Sequence, residues 1–510
     1  MYRLLLVCFL GFSMALTSCR NDFDFESATG NLHFSKDTVY LDTVFTNIGS
    51  STYTLKVYNK SNKNISIPRV ALAKGNASKY RLMVDGMPGK IFENVELLAK
   101  DSMFVFIEVT ADVIDANTTD FLYTDQIIFG EGSQAQKVEL VTLIQDAIFL
   151  YPQKFTDGTT ETLPIGEEEI YGFYLDDNDA VNGNELHWTN EKPYVIYGYA
   201  AIPPNETLIV DAGARVHFHA ESGLIVANNA SLHVEGDYST TEDLENEVIF
   251  EGDRLEPEFS ETPGQWGTIW FTQGSTNNIL SNLTIKNATV GMLVEGNDGT
   301  STPTIAMENV QIYNSSNVGL LARTGNIVGQ NVVINNCGET ALACSFGGSY
   351  DFTHCTFANY WATPSQYCIM FDDYDGSPEY ALTQANFKNC IVYGSPNQSL
   401  SFSRYTTIDS NYNFQFENCL IKFIDTGNQF ANIAEYNFDD SHYTNCIIAD
   451  TYNTSLPDFK NPNNNEMIIG EDSAAKGTAN FSYSSGTYDI LNNARTNPSD
   501  IGAYNFTIFE

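Results

Sequence analysis

The stretch NVVINNCGETALACSFGGSYDFTHCTF, residues 331–357, opens and closes on one four-residue figure: a polar turn-former, an apolar residue, a variable one, then an apolar one. The figure recurs as NLTI (282–285), NVQI (309–312), NVVI (331–334), HCTF (354–357), NCIV (389–392), NCLI (418–421) and NCII (445–448), at intervals of 27, 22, 23, 35, 29 and 27 residues. A smallest interval of 22 residues with a short strand each time marks a stacked parallel β-solenoid, in which each coil buries its inward side chains only against its neighbours. Strands in register keep their length, so surplus residues loop out, and the 35-residue interval predicts one large projecting loop between the fourth and fifth rungs. Asn suits the turn because it tolerates left-handed backbone geometry and its amide can bond to the next rung. Cys355, Cys390, Cys419 and Cys446 each follow that turn residue, where Val310 and Val332 stand in earlier rungs, and read as a column of free thiols in the core.

Upstream of the repeats, LIVDAGARVHFHAESGLIVANNASLHVEG (208–236) and PGQWGTIWFTQGSTNNILSNLTIKNATVGMLV (263–294) carry the same short-strand texture, and the chain closes on NPSDIGAYNF (497–506). These segments resemble the parallel β-helix lipoproteins of Bacteroidetes, relatives in fold of the pectate-lyase superfamily, and the Asp-Ile-Gly-Ala-Tyr finish is similar to that of other β-helix proteins from these bacteria. The resemblance covers roughly residues 195–510 and implies a right-handed parallel β-helix. It implies little about activity, since such coils serve lyases, hydrolases, adhesins and inert stalks alike.

Residues 31–145 read differently. Short alternating runs (Tyr53/Leu55/Val57, Ile65/Ile67, Tyr80/Leu82/Val84, Met103/Val105/Ile107/Val109, Val138/Leu140) are separated by turn signals such as Asp85-Gly86 and Gly130-Glu131-Gly132. They predict a small antiparallel β-sandwich. Its opening, LHFSKDTVYLDTVFTNIGSSTYTLKVYNKSNKNISI, resembles the immunoglobulin-like modules of Bacteroidetes surface proteins, usually spacers or binding platforms. The expected architecture is thus all-β: 1–18 signal peptide, 19–30 acidic tether, 31–145 immunoglobulin-like sandwich, 146–194 connector, 195–450 parallel β-helix and 451–510 the C-terminal end or cap of the helix.

With 64 acidic against 25 basic side chains the formal charge is −39, which repels nucleic acid and anionic lipid surfaces. The first 18 residues, MYRLLLVCFLGFSMALTS, have the charged, apolar and small-residue order of a secretory signal. The following Leu16-Thr17-Ser18-Cys19 resembles the lipobox of bacterial lipoproteins, which implies that Cys19 is lipidated and becomes the first residue of the mature chain. Acidic residues soon after it resemble the surface-export signal of Bacteroidetes lipoproteins, implying an outer-membrane protein, lipid-anchored and facing the cell surface. Of nine Cys, Cys8 leaves with the signal and Cys19 carries lipid; the remaining seven lie between Cys337 and Cys446, an odd count that argues against full pairing.

Polysaccharide-cleaving β-helices need clustered carboxylates, or calcium-binding acids with a basic residue as general base. The acidic tract Phe371-Asp372-Asp373-Tyr374-Asp375-Gly376 falls in the expected long loop. Asp373 and Asp375 are candidate calcium ligands, and Trp361, Tyr367 and Tyr374 candidate stacking platforms for sugar rings, with Asp372 and Arg404 beside them. The plain alternative is a solvated acidic turn. Between Trp266 and Asp450 the only basic side chains are Lys286, Arg323, Lys388, Arg404 and Lys422, so a uronate chain would need imported cations, and no hydrolase constellation appears. His217, His219 and His233 could bind zinc or copper but read more simply as solvated or hydrogen-bonded, and Trp266 and Trp270 read as core. The expected function is a lipid-anchored surface protein that binds carbohydrate or another extracellular ligand through its β-helix. A polysaccharide lyase or glycoside hydrolase is the alternative, and a structural stalk or adhesin the third reading.

Overall fold

The computed structural model describes residues 24–116, 121–166, 168–297, 300–361, 366–374 and 380–509. The signal segment 1–18, Cys19 and Asp375 lie outside the described residues. Two compact units divide the chain, Met1–Asp146 and Ala147–Glu510.

In the first unit, two sheets enclose one core. One sheet runs Glu26–Ser27, Ile65–Leu72, Leu122–Phe129, Gln136–Gln145, Thr38–Phe45, with Ile91–Leu97 also on Ile65–Leu72. The other runs His33–Phe34, Tyr53–Tyr58, Ser102–Val109, Tyr80–Val84, Met87–Gly89. Pairing is antiparallel except that Thr38–Phe45 lies parallel to Gln136–Gln145 and Glu26–Ser27 parallel to Ile65–Leu72. The period-two alternation expected of strands with one wet face is plain in Ser102–Val109, where Met103, Val105, Ile107 and Val109 point inward. The buried Tyr80 hydroxyl donates to the Tyr123 carbonyl at 2.8 Å, so this ring fills core space without stranding its polar end.

The second unit is a parallel β-helix of three strand ladders. A coil passes from the first ladder through one turn residue to the second, then to the third, as in Asn326–Gln330, Val333–Cys337 and Thr340–Ser345. The first coils begin earlier than the sequence suggests: Ile148–Leu150, Glu168–Tyr174 and His187–Trp188, all within the expected connector, already pair with later coils. The apolar patterning there is weak because these strands are only two to seven residues long.

The recurring four-residue figure is itself the pairing register. Ile285, Ile312, Ile334, Phe357, Val392, Ile421 and Ile448 form one continuous column of partners. The seven turn residues, Asn282, Asn309, Asn331, His354, Asn389, Asn418 and Asn445, all have left-handed backbone with φ between 46° and 54°. Side-chain amides link neighbours: Asn309 Nδ2 donates to Asn282 Oδ1 at 3.0 Å and Asn331 Nδ2 to Asn309 Oδ1 at 2.9 Å. Beneath them Cys355, Cys390 and Cys419 are fully buried and reduced, while Cys446 is half-buried at the end of the column. Their sulfurs accept amide hydrogens from the preceding rung, Cys355 N to Cys390 Sγ and Cys390 N to Cys419 Sγ, each at 3.4 Å. Burial pushes the Cys355 and Cys419 thiols well above their usual range. Alongside runs an aromatic stack: Phe352–Phe387 at 5.6 Å, Phe387–Phe416 at 4.8 Å and Phe416–Tyr443 at 5.6 Å. Trp266 belongs to this core, stacked on Phe218 at 4.3 Å, but Trp270 does not. It sits on the outer face of the third ladder with Ile225 and Leu163, and its Nε1 donates to Glu295 at 2.9 Å.

The C-terminal segment lies along the turn residues rather than across the end of the helix. Asn480 N donates to Asn389 Oδ1 and Arg495 Nη2 to Asn331 Oδ1, both at 2.8 Å, and Ser484 Oγ pairs with His354 Nε2 at 2.8 Å. Burial pulls the Arg495 guanidinium down to about 10 and His354 to about 2, so His354 stands neutral in its turn. Within the Asp-Ile-Gly-Ala-Tyr finish, Gly502 has φ +97° and a Cβ there would meet Ile391 Cδ1 at 2.6 Å, so only glycine lets the strap lie this close.

Candidate functional site

The longest interval in the repeat contains a strand. Tyr367–Asp372 takes its place in the third ladder, flanked by two insertions, 361–366 and 373–381, in place of the single loop that spacing alone implies. The candidate residues therefore separate. Trp361 and Tyr367 sit at the entry of this strand, Asp372, Asp373 and Tyr374 at its exit, and five strand steps, about 17 Å, lie between Tyr367 and Asp372. Trp361 is not brought to the acidic tract.

At the exit the tract is structural as well as acidic. Asp373, expected on a projecting loop, is fully buried. Its Oδ1 accepts the Tyr405 amide at 2.7 Å and its Oδ2 the Thr406 amide at 2.9 Å. Asp372 Oδ1 accepts the Phe346 amide at 3.0 Å. Both oxygens of Asp373 are thus committed to backbone, which corrects its placement as an exposed calcium ligand. The clamp fixes the neighbouring loop: Tyr405 lies flat on Tyr374, ring centroids 4.0 Å apart, and Arg404 follows from the same chain direction.

Arg404 opens a cleft of about 450 Å3 in which it meets Tyr412, Phe414, Glu435, Asp440 and His442. Two loops build it. The third-ladder strand Leu400–Ser403 leads into 404–414, and the coil of Gln415–Glu417 and Leu420–Lys422 has no third-ladder strand among the described residues, so 423–442 folds across the vacant place. A cluster of rings anchors that fold, with Phe423 against Tyr436 at 4.9 Å and Phe438 at 5.1 Å, and Phe438 against Tyr443 at 4.7 Å. These rings cover the edge of the stacked core at Phe402, whose ring meets Tyr436 at 5.3 Å.

Along the cleft the side chains form a row. The Arg404 guanidinium pairs with Glu435 at 3.3 Å and with Asp409, whose carboxylate raises it above the usual arginine range. It lies 5.5 Å from the Tyr412 ring centroid. Tyr412 meets Phe414 edge-on, and Phe414 stacks on the His442 imidazole at 4.5 Å. His442 Nδ1 pairs with Asp440, and the His442 amide and ring together hold that carboxyl below its usual range. Chemically the row offers flat apolar faces alternating with hydrogen-bonding groups of both signs. Arg404 alone comes from the sequence reading; the rest lie in loops that carry no repeat signal. The sole hint was four rings, Phe423, Phe430, Tyr436 and Phe438, at spacings that fit no strand.

The histidines upstream have protein partners. His217 Nδ1 pairs with the Gly252 carbonyl at 3.1 Å, His219 with Asp253 at 2.7 Å, and His233 Nε2 with the Asn277 carbonyl at 3.0 Å. Among the described residues no three His, Cys, Asp or Glu side chains gather as a metal site, and no helix is long and apolar enough to cross a membrane.

No known family matches the sequence, and no curated protein does either. Among solved structures, the chain is similar to the E. coli chaperone DraB, at 14% identity over 23% of this chain and 57% of that one, TM-score 0.16. It is also similar to the periplasmic chaperone SfaE, at 12% identity over 22% and 58%, TM-score 0.15. A third is a PapD-like domain of human CEP192, at 9% identity over 26% and 96%, TM-score 0.16. The chain spans less than two thirds of the length of both chaperones, and likenesses this slight carry no functional argument.

The clamp yields a prediction. Asp373→Asn replaces an acceptor oxygen by an NH2 group facing a backbone amide, and the expected cost is about 3 kcal/mol, read as a fall in melting temperature. An unchanged melting curve would show that Tyr405 and Thr406 are held by other contacts.

Proposed function

We propose that this is a lipid-anchored protein of the outer-membrane surface, of the Bacteroidetes β-helix kind, that binds neutral glycans in the cleft between 404–414 and 423–442. The observation that carries the reading is the row Arg404, Tyr412, Phe414, His442, Asp440, because sugars present an apolar C–H face to rings and a rim of hydroxyls to groups that both donate and accept. Asp409, Glu435 and Asp440 outnumber Arg404 in the cleft, and the whole chain stands at −39, so carboxylated or sulfated chains are disfavoured. The two-sheet N-terminal unit serves in this reading as an immunoglobulin-like spacer between Cys19 and the β-helix. Calcium has no part in it, since Asp373 is spent on the backbone.

A second reading, glycan cleavage, is favoured by one feature, the Asp440-oriented imidazole of His442, which has the form of a general base. Assay on a panel of neutral and anionic oligosaccharides separates the two. Binding of a neutral member is expected to weaken at least about tenfold in His442→Ala, whose side chain is partly exposed, with an unchanged melting curve as the check on folding. Release of reducing ends that His442→Ala abolishes would put cleavage in place of binding; preference for uronate chains, or an indifferent His442→Ala, would remove the cleft from the account.

Anchoring has its own test. The mature chain is expected to begin at Cys19 with added lipid mass and to partition into detergent, and Cys19→Ala to lose both. Membrane association unchanged in Cys19→Ala would overturn the lipoprotein reading.

A further inference from the structure

Later coils pass from the first ladder to the second through a single residue, but the coil of Ser231–Glu235 and Val248–Gly252 inserts 236–247 at that corner. The insertion is internally braced. Glu245 takes the Thr240 amide at 2.7 Å and the Thr241 hydroxyl at 2.6 Å, which holds its carboxyl down to about 2, and Ser239 Oγ accepts the Asn246 and Glu247 amides at 2.9 and 3.1 Å. Arg215 donates to the Asp243 and Leu244 carbonyls at 3.1 and 2.6 Å. Facing it, the C-terminal strap is braced by Asp489, whose oxygens accept the amides of Leu491, Asn493 and Asn505 at 3.1, 2.7 and 2.9 Å.

Between these two walls lies a cleft of about 180 Å3, bordered by Tyr238, Ser239, Leu244, Glu247 and Leu491. Beneath it runs a buried polar relay. Glu247 Oε1 accepts from the Thr284 hydroxyl and from Gln311 Nε2, and Gln311 Oε1 accepts from the Tyr313 and Tyr504 hydroxyls at 2.8 and 3.1 Å. Burial pushes the Glu247 carboxyl above its usual range, while the Thr284 hydroxyl, Gln311 and the Arg215 and Lys286 charges hold it down. The Ser239 oxygen accepts two amides, which leaves its hydroxyl hydrogen to donate. Apolar side chains on the walls, with Glu247 and Ser239 among the polar groups of the lining and both held by rigid neighbours, make a preorganised site rather than a packing gap.

We infer that this cleft is a second binding site, for a single uncharged sugar ring, seated against Leu244, Leu491 and Tyr238 with its hydroxyls on Glu247 and Ser239. Its volume lies below the roughly 300 Å3 at which pockets for larger ligands begin, so it takes one ring or a chain end. Asp237 and Glu247 at its border exclude acidic sugars. It shares no residue with the cleft at Arg404, and stands or falls independently of it.

Saturation-transfer NMR on the full chain with glucose, galactose, mannose, fucose, N-acetylglucosamine and N-acetylgalactosamine tests the inference. At least one sugar is expected to receive saturation, to bind at least about tenfold more weakly to Leu491→Trp, and to bind His442→Ala as it binds the parent chain. Leu491 is 37% exposed, so the larger ring fills the cleft without entering the core, and an unchanged melting curve checks this. Glu247→Ala removes the carboxyl from the cleft floor and is expected to weaken the same sugar. No transfer to any of the six sugars, full binding by Leu491→Trp, or loss in His442→Ala instead would overturn it.

Discussion

The later coils of the β-helix, from Asn282 to Asn445, depend on one backbone state: a residue with positive φ between the first and second strands, followed at once by an apolar side chain packed in the core. The left-handed residue turns the chain without spending more than one position, so the next strand starts at the same height in each of these coils. Parallel pairing then lines up like residues, and the apolar column from Ile285 to Ile448, the thiol column and the aromatic stack follow from that alignment. Asn is suited to the role because its short amide tolerates the conformation and reaches the rung next to it. His354 fills the position once, and its neutrality under burial, together with Ser484, lets it do so without placing a charge in the stack.

Both proposed binding clefts lie where the coils break this rule. A corner of one residue leaves a smooth wall, whereas 236–247 and 404–414 raise walls above it, and 423–442 replaces a strand altogether. Each departure is braced by a carboxylate that accepts backbone amides, Glu245 for 236–247, Asp373 for 404–414 and Asp425 for 423–442, as Asp489 braces the strap. In a chain this acidic, many of the carboxylates are thus building material rather than ligands. The C-terminal strap serves both ends of the scheme, pairing with turn residues through Arg495 and bordering a cleft through Leu491.

The register was legible because it is written in short range: Asn, an apolar residue next to it and another apolar residue three positions on repeat wherever the corner is tight. The third ladder was not, since its strands carry no polar anchor, and Tyr367–Asp372 therefore passed for part of a loop. Asp373 misled for a related reason. Three carboxylates in four residues look solvated, and only the distant amides of Tyr405 and Thr406, more than thirty positions away, reveal why one of them is buried. Trp270 alternates with Trp266 in a way that suits either face of a strand. Residues of the two clefts meet only after 423–442 and the strap fold back, which no local pattern records.

The claim that the left-handed corner sets the register is tested most directly at Asn418, with φ 51° and a side-chain oxygen that makes no hydrogen bond among the described residues. Replacing it isolates the backbone from side-chain pairing. Thermal unfolding of Asn418→Gly and Asn418→Val is the measurement. The account predicts that Gly, at home with positive φ, leaves stability nearly unchanged, while the β-branched Val costs about 1–2 kcal/mol. A Val variant as stable as the Gly variant would contradict it, and would mean that the core columns alone hold the coils in line.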